Sequence, residues 1–423
     1  MDLLDLGSRA FRSRLKRELP RWRDEGWIDE RVEAELFERY DLGEEGVSVA
    51  AATIYVLGAL LIGAGILSFV AWNWELMSRA VKLGILGLML VAAHSAGYWM
   101  WRVADRLPRL GHALTLLGSL IFGASIGLVY QMFHITTDPA AGWGMWAIGA
   151  GAAAWALRSV PNGALAAVVA VIWGCVYLAA HEGLFGLVPF LVAVPFLPLA
   201  WLCRSSFLFV VVSLGALVVM AVSASIEFDG GAGFVVSTLD GAALLLAYSL
   251  TPAFEKPARA LGLFTASAVF YLCSFREVAE AFAFGRAAPS GQGWMAFVLP
   301  AYAGTLVLVA RNMRTLREHP AMICALAGIP VVLWGLAIAD GAVAGSIAAN
   351  LGLAALSIVS ITSAARTLRR APFWFGSLLG GTLILSRFLE FETDLWLKAI
   401  VFLACGVAVI AFGVAFERRR KRG

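Results

Sequence analysis

The chain has 423 residues, of which 60% are hydrophobic and 15% charged, with a mean hydropathy of +0.81 and a formal net charge of +4. Soluble domains average roughly 45–50% apolar and about 25% charged residues, so no water-exposed fold can hide this much apolar surface. A soluble enzyme is excluded, and a nucleic-acid surface too, since the cations fall between apolar runs instead of gathering in one patch.

Residues 1–46 precede the first apolar run and read as a cytoplasmic amphipathic helical segment. Phe11, Leu15 and Leu19 recur at i, i+4 and i+8 among Arg9, Arg12, Arg14, Lys16 and Arg17, which describes a basic amphipathic helix that Pro20 is expected to end. A second short helix takes Asp29 as N-cap, with Glu30 and Glu33 in its first turn and Ile28, Val32, Leu36 and Tyr40 on one face. Residues 1–23 carry seven cations and three anions, whereas 24–46 carry two and ten. Opposite charge suits the pair to closing as a hairpin; the basic helix could instead lie on anionic lipid, and the segment could dock a protein partner. No cleavable signal peptide is expected, because the first apolar run has neither a short h-region nor a small-residue cleavage site.

Fourteen apolar runs follow, at roughly 49–71, 81–101, 111–133, 140–157, 162–180, 186–203, 206–223, 236–252, 258–275, 293–310, 321–339, 341–363, 372–389 and 395–416. Each is long enough to cross a ~30 Å hydrocarbon layer as a helix. The fold class is therefore all-α, a polytopic transmembrane bundle of about fourteen spanning helices, or twelve if the Gly/Ala-rich fourth run and the eighth, opening near Asp240, are dropped. Residues 47–160 hold the first four spans, 161–417 the remaining ten, and 418–423 a basic tail. Counting loop residues together with those at the span ends, 27 of the 33 Lys and Arg residues fall on one side and 6 on the other. Cytoplasmic loops hold the Lys/Arg excess, so both termini are expected in the cytoplasm.

Three spans bring polar groups to the outer rim. Trp72 and Trp74 close the first as interface anchors, leaving Asn73 and Glu75 beyond what an aromatic belt needs. On the third, Gln131, His134 and Asp138 follow at i, i+3 and i+7, as if on one helical face. The thirteenth ends with Arg387 and Glu390 one turn apart. Asn73, Glu75, Gln131, His134, Asp138, Arg387 and Glu390 are thus the candidate ligand-binding set, a periplasm-facing pocket for a small polar solute or a lipid head group. The alternative is polar glue between helices. His94 and Asn350 are lone polar residues within spans, and Pro189, Pro195 and Pro198 make the sixth span the best candidate for a broken helix.

Catalytic signals are missing from the pattern. The five cysteines stand singly in apolar runs, without metal spacing, and read as reduced packing residues; no metal and no cofactor is expected. Gly123-Ala124-Ser125-Ile126-Gly127 spells G-x-S-x-G, but a nucleophile elbow needs a strand, a strained turn and a helix start, and here the run is one apolar helix. Gly123 with Gly127, Gly341 with Gly345 and Gly376 with Gly380 are better read as GxxxG helix contacts. No triad, metal motif or nucleotide loop marks an enzyme.

Three stretches resemble a bacterial integral-membrane family catalogued as domain of unknown function 2157. They are Leu19, Trp22, Gly26, Ile28, Leu36 and Tyr40; FVAWNWELMSRAVKLG from Phe69 to Gly84; and LIFGASIGLVYQMFHITTD from Leu120 to Asp138, followed by Trp146. The resemblance covers roughly the first 160 residues and implies a multi-pass protein of the bacterial inner membrane, without an activity or catalytic residues to carry over. The functional expectation is transporter- or flippase-like; the alternative is a non-catalytic envelope scaffold or stress-linked regulator acting through residues 1–46. Membrane lipids are the expected partners.

Overall fold

The computed structural model describes residue 15 and residues 18–39, 77–104, 108–135, 138–181, 187–227, 231–282, 295–337, 341–367, 369–390 and 403. The first and fourteenth predicted spans, the Trp72–Glu75 rim and the basic tail lie outside the described residues. The chain divides into two compact units, residues 1–83 and 84–423.

In the first unit the two N-terminal helices do pair. Leu15 and Leu19 are buried, with Trp22, Ile28, Leu36 and Phe37 packed on them, and Arg23 meets Glu33 at 3.1 Å. Pro20 does not end the first helix, which runs on through residue 24 and turns at Gly26, φ +76°. Glycine supplies that left-handed turn without a Cβ clash. Asp29 caps α1 (Glu30–Arg39) as expected, accepting from Val32 N at 2.7 Å. Val32 is exposed and Phe37 packs in its place, because a 3.6-residue period drifts off a strict i+4 ladder.

The regular elements of the second unit's described residues are all helices: α2 (Arg79–Tyr98, begun at the end of the first unit and closing in a π-helical turn, Trp99–Val103), α3 (Pro108–Phe133), α4 (Pro139–Leu157), α5 (Val160–Ala180), α6 (Val188–Ala193), α7 (Leu197–Leu202), α8 (Ser206–Glu227), α9 (Gly231–Tyr248), α10 (Glu255–Cys273), α11 (Arg276–Phe282), α12 (Met295–Arg311), α13 (Met313–Arg317), α14 (Pro320–Ala337), α15 (Gly341–Thr367) and α16 (Arg370–Glu390). Every predicted span from the second to the thirteenth coincides with one of these helices or a broken pair. Among the described residues, α2, α3, α5, α8, α9, α14 and α15 are long and apolar enough to cross a membrane, and α10 with α11 makes an eighth if counted as one bent span.

Two of the predicted runs meet a break in the helix. The sixth divides into α6 and α7 around Val194–Phe196, where Pro195 cannot donate to the helix ladder and its carbonyl accepts from Trp155 Nε1 at 2.9 Å. The ninth, predicted to close at Phe275, closes at Cys273, and beyond Ser274 and Phe275 the chain turns into α11, which leaves α10 at 105°. Residues 276–282, expected as part of the interhelical segment, instead form α11. The eighth differs in the other direction. α9 begins at Gly231, earlier than its weakly apolar Gly-Ala-Gly start suggests, and Asp240 therefore sits midway along it.

Contacts sort the helix ends into two sets. At one end Arg102 donates to the Leu157 carbonyl (3.2 Å), Cys203 to that of Arg158 (3.5 Å), Phe209 stacks on Tyr248 and Phe254, and Arg259 meets His319 (3.0 Å). At the other, Asp138 meets His181, Gly231 lies against Ala281 and Phe282, and Ser274 meets Arg387. The arginine-rich interhelical segments thus converge on one end of this unit. At its centre, α9 is the most enclosed candidate span, packed by α8, α10, α11, α12 and α14.

Candidate functional site

The bend between α10 and α11 builds a polar junction between distant helices. Ending α10 at Cys273 frees the Ser274 carbonyl, which accepts from Asn350 Nδ2 (α15) and from Arg387 Nη1 (α16), each at 3.0 Å. Arg387 Nη2 reaches the Ser274 hydroxyl at 3.3 Å, and the guanidinium lies 4.3 Å over the Phe275 ring. Ser274 Oγ in turn donates to the Tyr271 carbonyl (2.6 Å), the local bond by which a serine competes with the helix ladder. Irregular backbone between packed helices persists where side chains of neighbouring helices satisfy it, and Asn350 and Arg387 do so here.

The other predicted residues occupy different roles. α3 ends at Phe133, so Gln131, His134 and Asp138 do not share a helical face. His134 adopts a left-handed conformation (φ 52°) as the Ile135 amide bonds back to the Tyr130 carbonyl; its side chain and that of Gln131 are exposed. Asp138 caps α4, accepting from Ala140 N at 2.9 Å, and stands 3.4 Å from His181 Nε2. The Thr-Thr-Asp-Pro run, with a capping Asp before proline at the first helical position, is the signal that separates the two helices. Glu390 is the last residue of α16. Asn73, Glu75, Trp72 and Trp74 lie outside the described residues.

Sequence reasoning passed over a buried network between α3 and α5. Asn162 donates to Thr115 Oγ1 (3.2 Å) and Ser159 Oγ (3.0 Å) and accepts from Ser119 Oγ (2.7 Å), while the Ser119 carbonyl takes Trp146 Nε1 at 2.9 Å. Asn162 is the one amide at the start of an otherwise apolar helix, which is the signal that could have found it. Beside this network a cavity of about 360 Å³ is lined by Leu90, Val91, His94, Ser95, Ser119, Phe122 and Gly149. Its histidine bonds Nδ1 to the Leu90 carbonyl at 3.1 Å, and a Cβ on Gly118 would sit 2.2 Å from that nitrogen. The G-x-S-x-G serine is spent on its own helix, Oγ donating to the Ile121 carbonyl at 2.7 Å. Gly123 is a slot for the Trp146 ring, 2.1 Å from a built Cβ, whereas nothing lies within 4 Å at Gly127 among the described residues.

Set against known families, this region carries the likeness. Residues 20–163 match the family model DUF2157, a predicted membrane protein. No curated protein and no solved structure gives a match. The DUF2157 match holds the N-terminal helix pair from residue 20 onward, the His94 cavity and the Asn162 network, while Leu15 and Leu19 precede it and Ser274, Asn350 and Arg387 lie beyond it. Helix length, apolarity and the DUF2157 match agree on a membrane protein.

At the arginine-rich end, Arg259 on α10 is shared between Glu255 and the His319 imidazole that precedes α14. Burial first, and the Arg259 charge second, hold His319 below the ordinary histidine range near 6.5. The unfolded chain therefore takes up this proton before the folded one, so the contribution to stability is complete above about pH 6.5 and is lost as the pH falls through the lowered value. Melting of the full-length protein between pH 8 and 5 is expected to drop more steeply in the wild type than in His319→Gln. Parallel curves would contradict the assignment.

Proposed function

We propose that this chain is a multi-spanning protein of a bacterial inner membrane that moves a small polar solute or a lipid head group through its helical bundle. The observation that carries the reading is the break in the ninth span. Discontinuous helices with freed carbonyls and a guanidinium beside them are how many transporter folds build polar sites inside a bilayer. Arg387 belongs to this site, and Gln131, His134, Asp138 and Glu390 are proposed as outer-rim contacts for the same cargo. Fourteen crossings with both termini in the cytoplasm complete the proposal. It is supported by the 27-to-6 arginine and lysine bias and by the way interhelical arginines converge on one end.

Reconstitution of the full chain into liposomes tests it. Uptake of labelled polar solutes, or scrambling of a fluorescent head-group lipid, should exceed that of protein-free vesicles. It should fall by about tenfold in folded Arg387→Gln, as expected for losing roughly 1.4 kcal/mol of binding. Wild-type flux equal to that of empty vesicles across the panel would reject transport. That outcome would favour a regulator acting through the N-terminal helix pair, a reading supported by the small core of that pair and by Trp27, 75% exposed beside it.

A further inference from the structure

Asp240 is the ionisable residue that the predicted site leaves out. It stands midway along α9, about 14 Å along the axis from Gly231, and is 5% exposed. Its Oδ2 has no hydrogen-bond partner among the described residues. The nearest hydroxyls on its own helix are committed elsewhere: Ser237 donates to the Gly233 carbonyl (2.7 Å) and Thr238 to that of Phe234 (2.5 Å). On α12, which packs against α9, the buried Thr305 hydroxyl likewise has no partner among the described residues.

The helices around α9 bring no counter-charge to its middle. Their ionised residues stand towards helix ends or on the short α11: Glu227 closes α8, Glu255, Lys256 and Arg259 open α10, Arg311 closes α12, and Arg276, Glu277 and Glu280 lie on α11 against the start of α9. α14 carries no charged residue. The remaining titratable groups on these helices are the Tyr271 and Tyr302 phenols and the Cys273 and Cys324 thiols, and α9 itself adds Tyr248. A divalent ion is a poor occupant, since among the described residues no three His, Cys, Asp or Glu side chains gather to hold one.

A carboxylate enclosed by apolar helices without a cation or a donor is too costly to persist, and intramembrane acids of this kind mark ion or proton paths. The proton alone needs no coordination shell. We propose that Asp240 is a reversible proton-binding site within the bundle. With the proton on, the carboxyl is neutral and can both donate and accept. For release, the O–H bond breaks, its electron pair stays on the carboxylate oxygen, and the proton passes to water admitted when the helices around α9 separate. This proposal stands apart from the transport reading, because proton occupancy is measured without flux.

The test is infrared difference spectroscopy on full-length protein in lipid vesicles stepped between acidic and alkaline pH. A protonated-carboxyl C=O band is expected that shifts in D2O, moves on labelling with carboxyl-13C aspartate, and comes and goes reversibly with pH. It should be lost in Asp240→Asn and return at a shifted position in Asp240→Glu. Asp240→Glu keeps a titrating carboxyl at this site whose band labelled aspartate no longer moves, so the assignment survives even if the asparagine variant does not fold. Identical wild-type and Asp240→Asn spectra, or an Asp240 band that pH never moves, would overturn the proposal.

Discussion

Removing both donors to the Ser274 carbonyl is expected to cost more than the sum of removing each. In Arg387→Met the carbonyl keeps Asn350, and in Asn350→Leu it keeps Arg387, so the asparagine change should cost about 1 kcal/mol and the arginine change about 1.5–3 kcal/mol, since its donor is charged. In the double variant a backbone acceptor at a helix break has neither donor, and desolvation adds about 1–3 kcal/mol. The double-mutant cycle cancels whatever else Arg387 touches, because those contacts are lost equally in both arms. Reversible unfolding in bicelles measures the coupling. A local readout exists next door: Cys273 is fully buried, and with the other cysteines replaced its thiol should react much faster in the double variant than in either single. Strictly additive energies with an unreactive Cys273 would show that the break is held by something else.

Gly97→Leu is expected to be strongly damaging, at about 3 kcal/mol, the upper part of the overpacking range. A Cβ at Gly97 would sit 2.8 Å from the Gly111 carbonyl oxygen and from Thr115 N, and one at Gly111 would sit 2.7 Å from the Gly97 oxygen. These obstacles are backbone, so no rotamer change relieves them and α2 and α3 must part, as small-residue helix contacts imply. Gly123→Ala should fall lower, at about 1–3 kcal/mol, because the obstacle is the Trp146 ring, which can move if it gives up its bond to Ser119. Gly127→Ala should stay within about 0.5 kcal/mol of wild type. Unfolding in the same bicelles ranks the three, and equal losses at Gly97 and Gly127 would contradict the packing.

Much of the architecture was legible because hydrophobic run length is a strong signal and interhelical arginines mark one end. The Asp29 cap, the N-terminal pairing and the proline-broken sixth span were also readable, each from one residue type with one physical job. The end of the ninth run near Phe275 was readable too, but the junction at Ser274 was not, since the carbonyl freed there is satisfied by partners 76 and 113 positions away. The same distance hid the Asn162 network, whose members look like scattered small polar residues until α3 and α5 are packed. Gln131, His134 and Asp138 misled as a face because spacing was counted through a helix end that His134 makes by a backbone conformation unusual for a side-chain-bearing residue. Asp240 was visible, but a late helix start placed it near a water-facing end.

The central position of α9 also bears on how the protein is made. Its sequence leaves the ribosome before α12 and α14 have been synthesised, yet those helices form part of the wall around it. Until they arrive, the nascent segment has to hold an aspartate against lipid or against the insertion machinery, and release from that machinery before the later hairpins come would strand it. Truncation after α10 should therefore leave a chain that membrane quality control recognises and degrades.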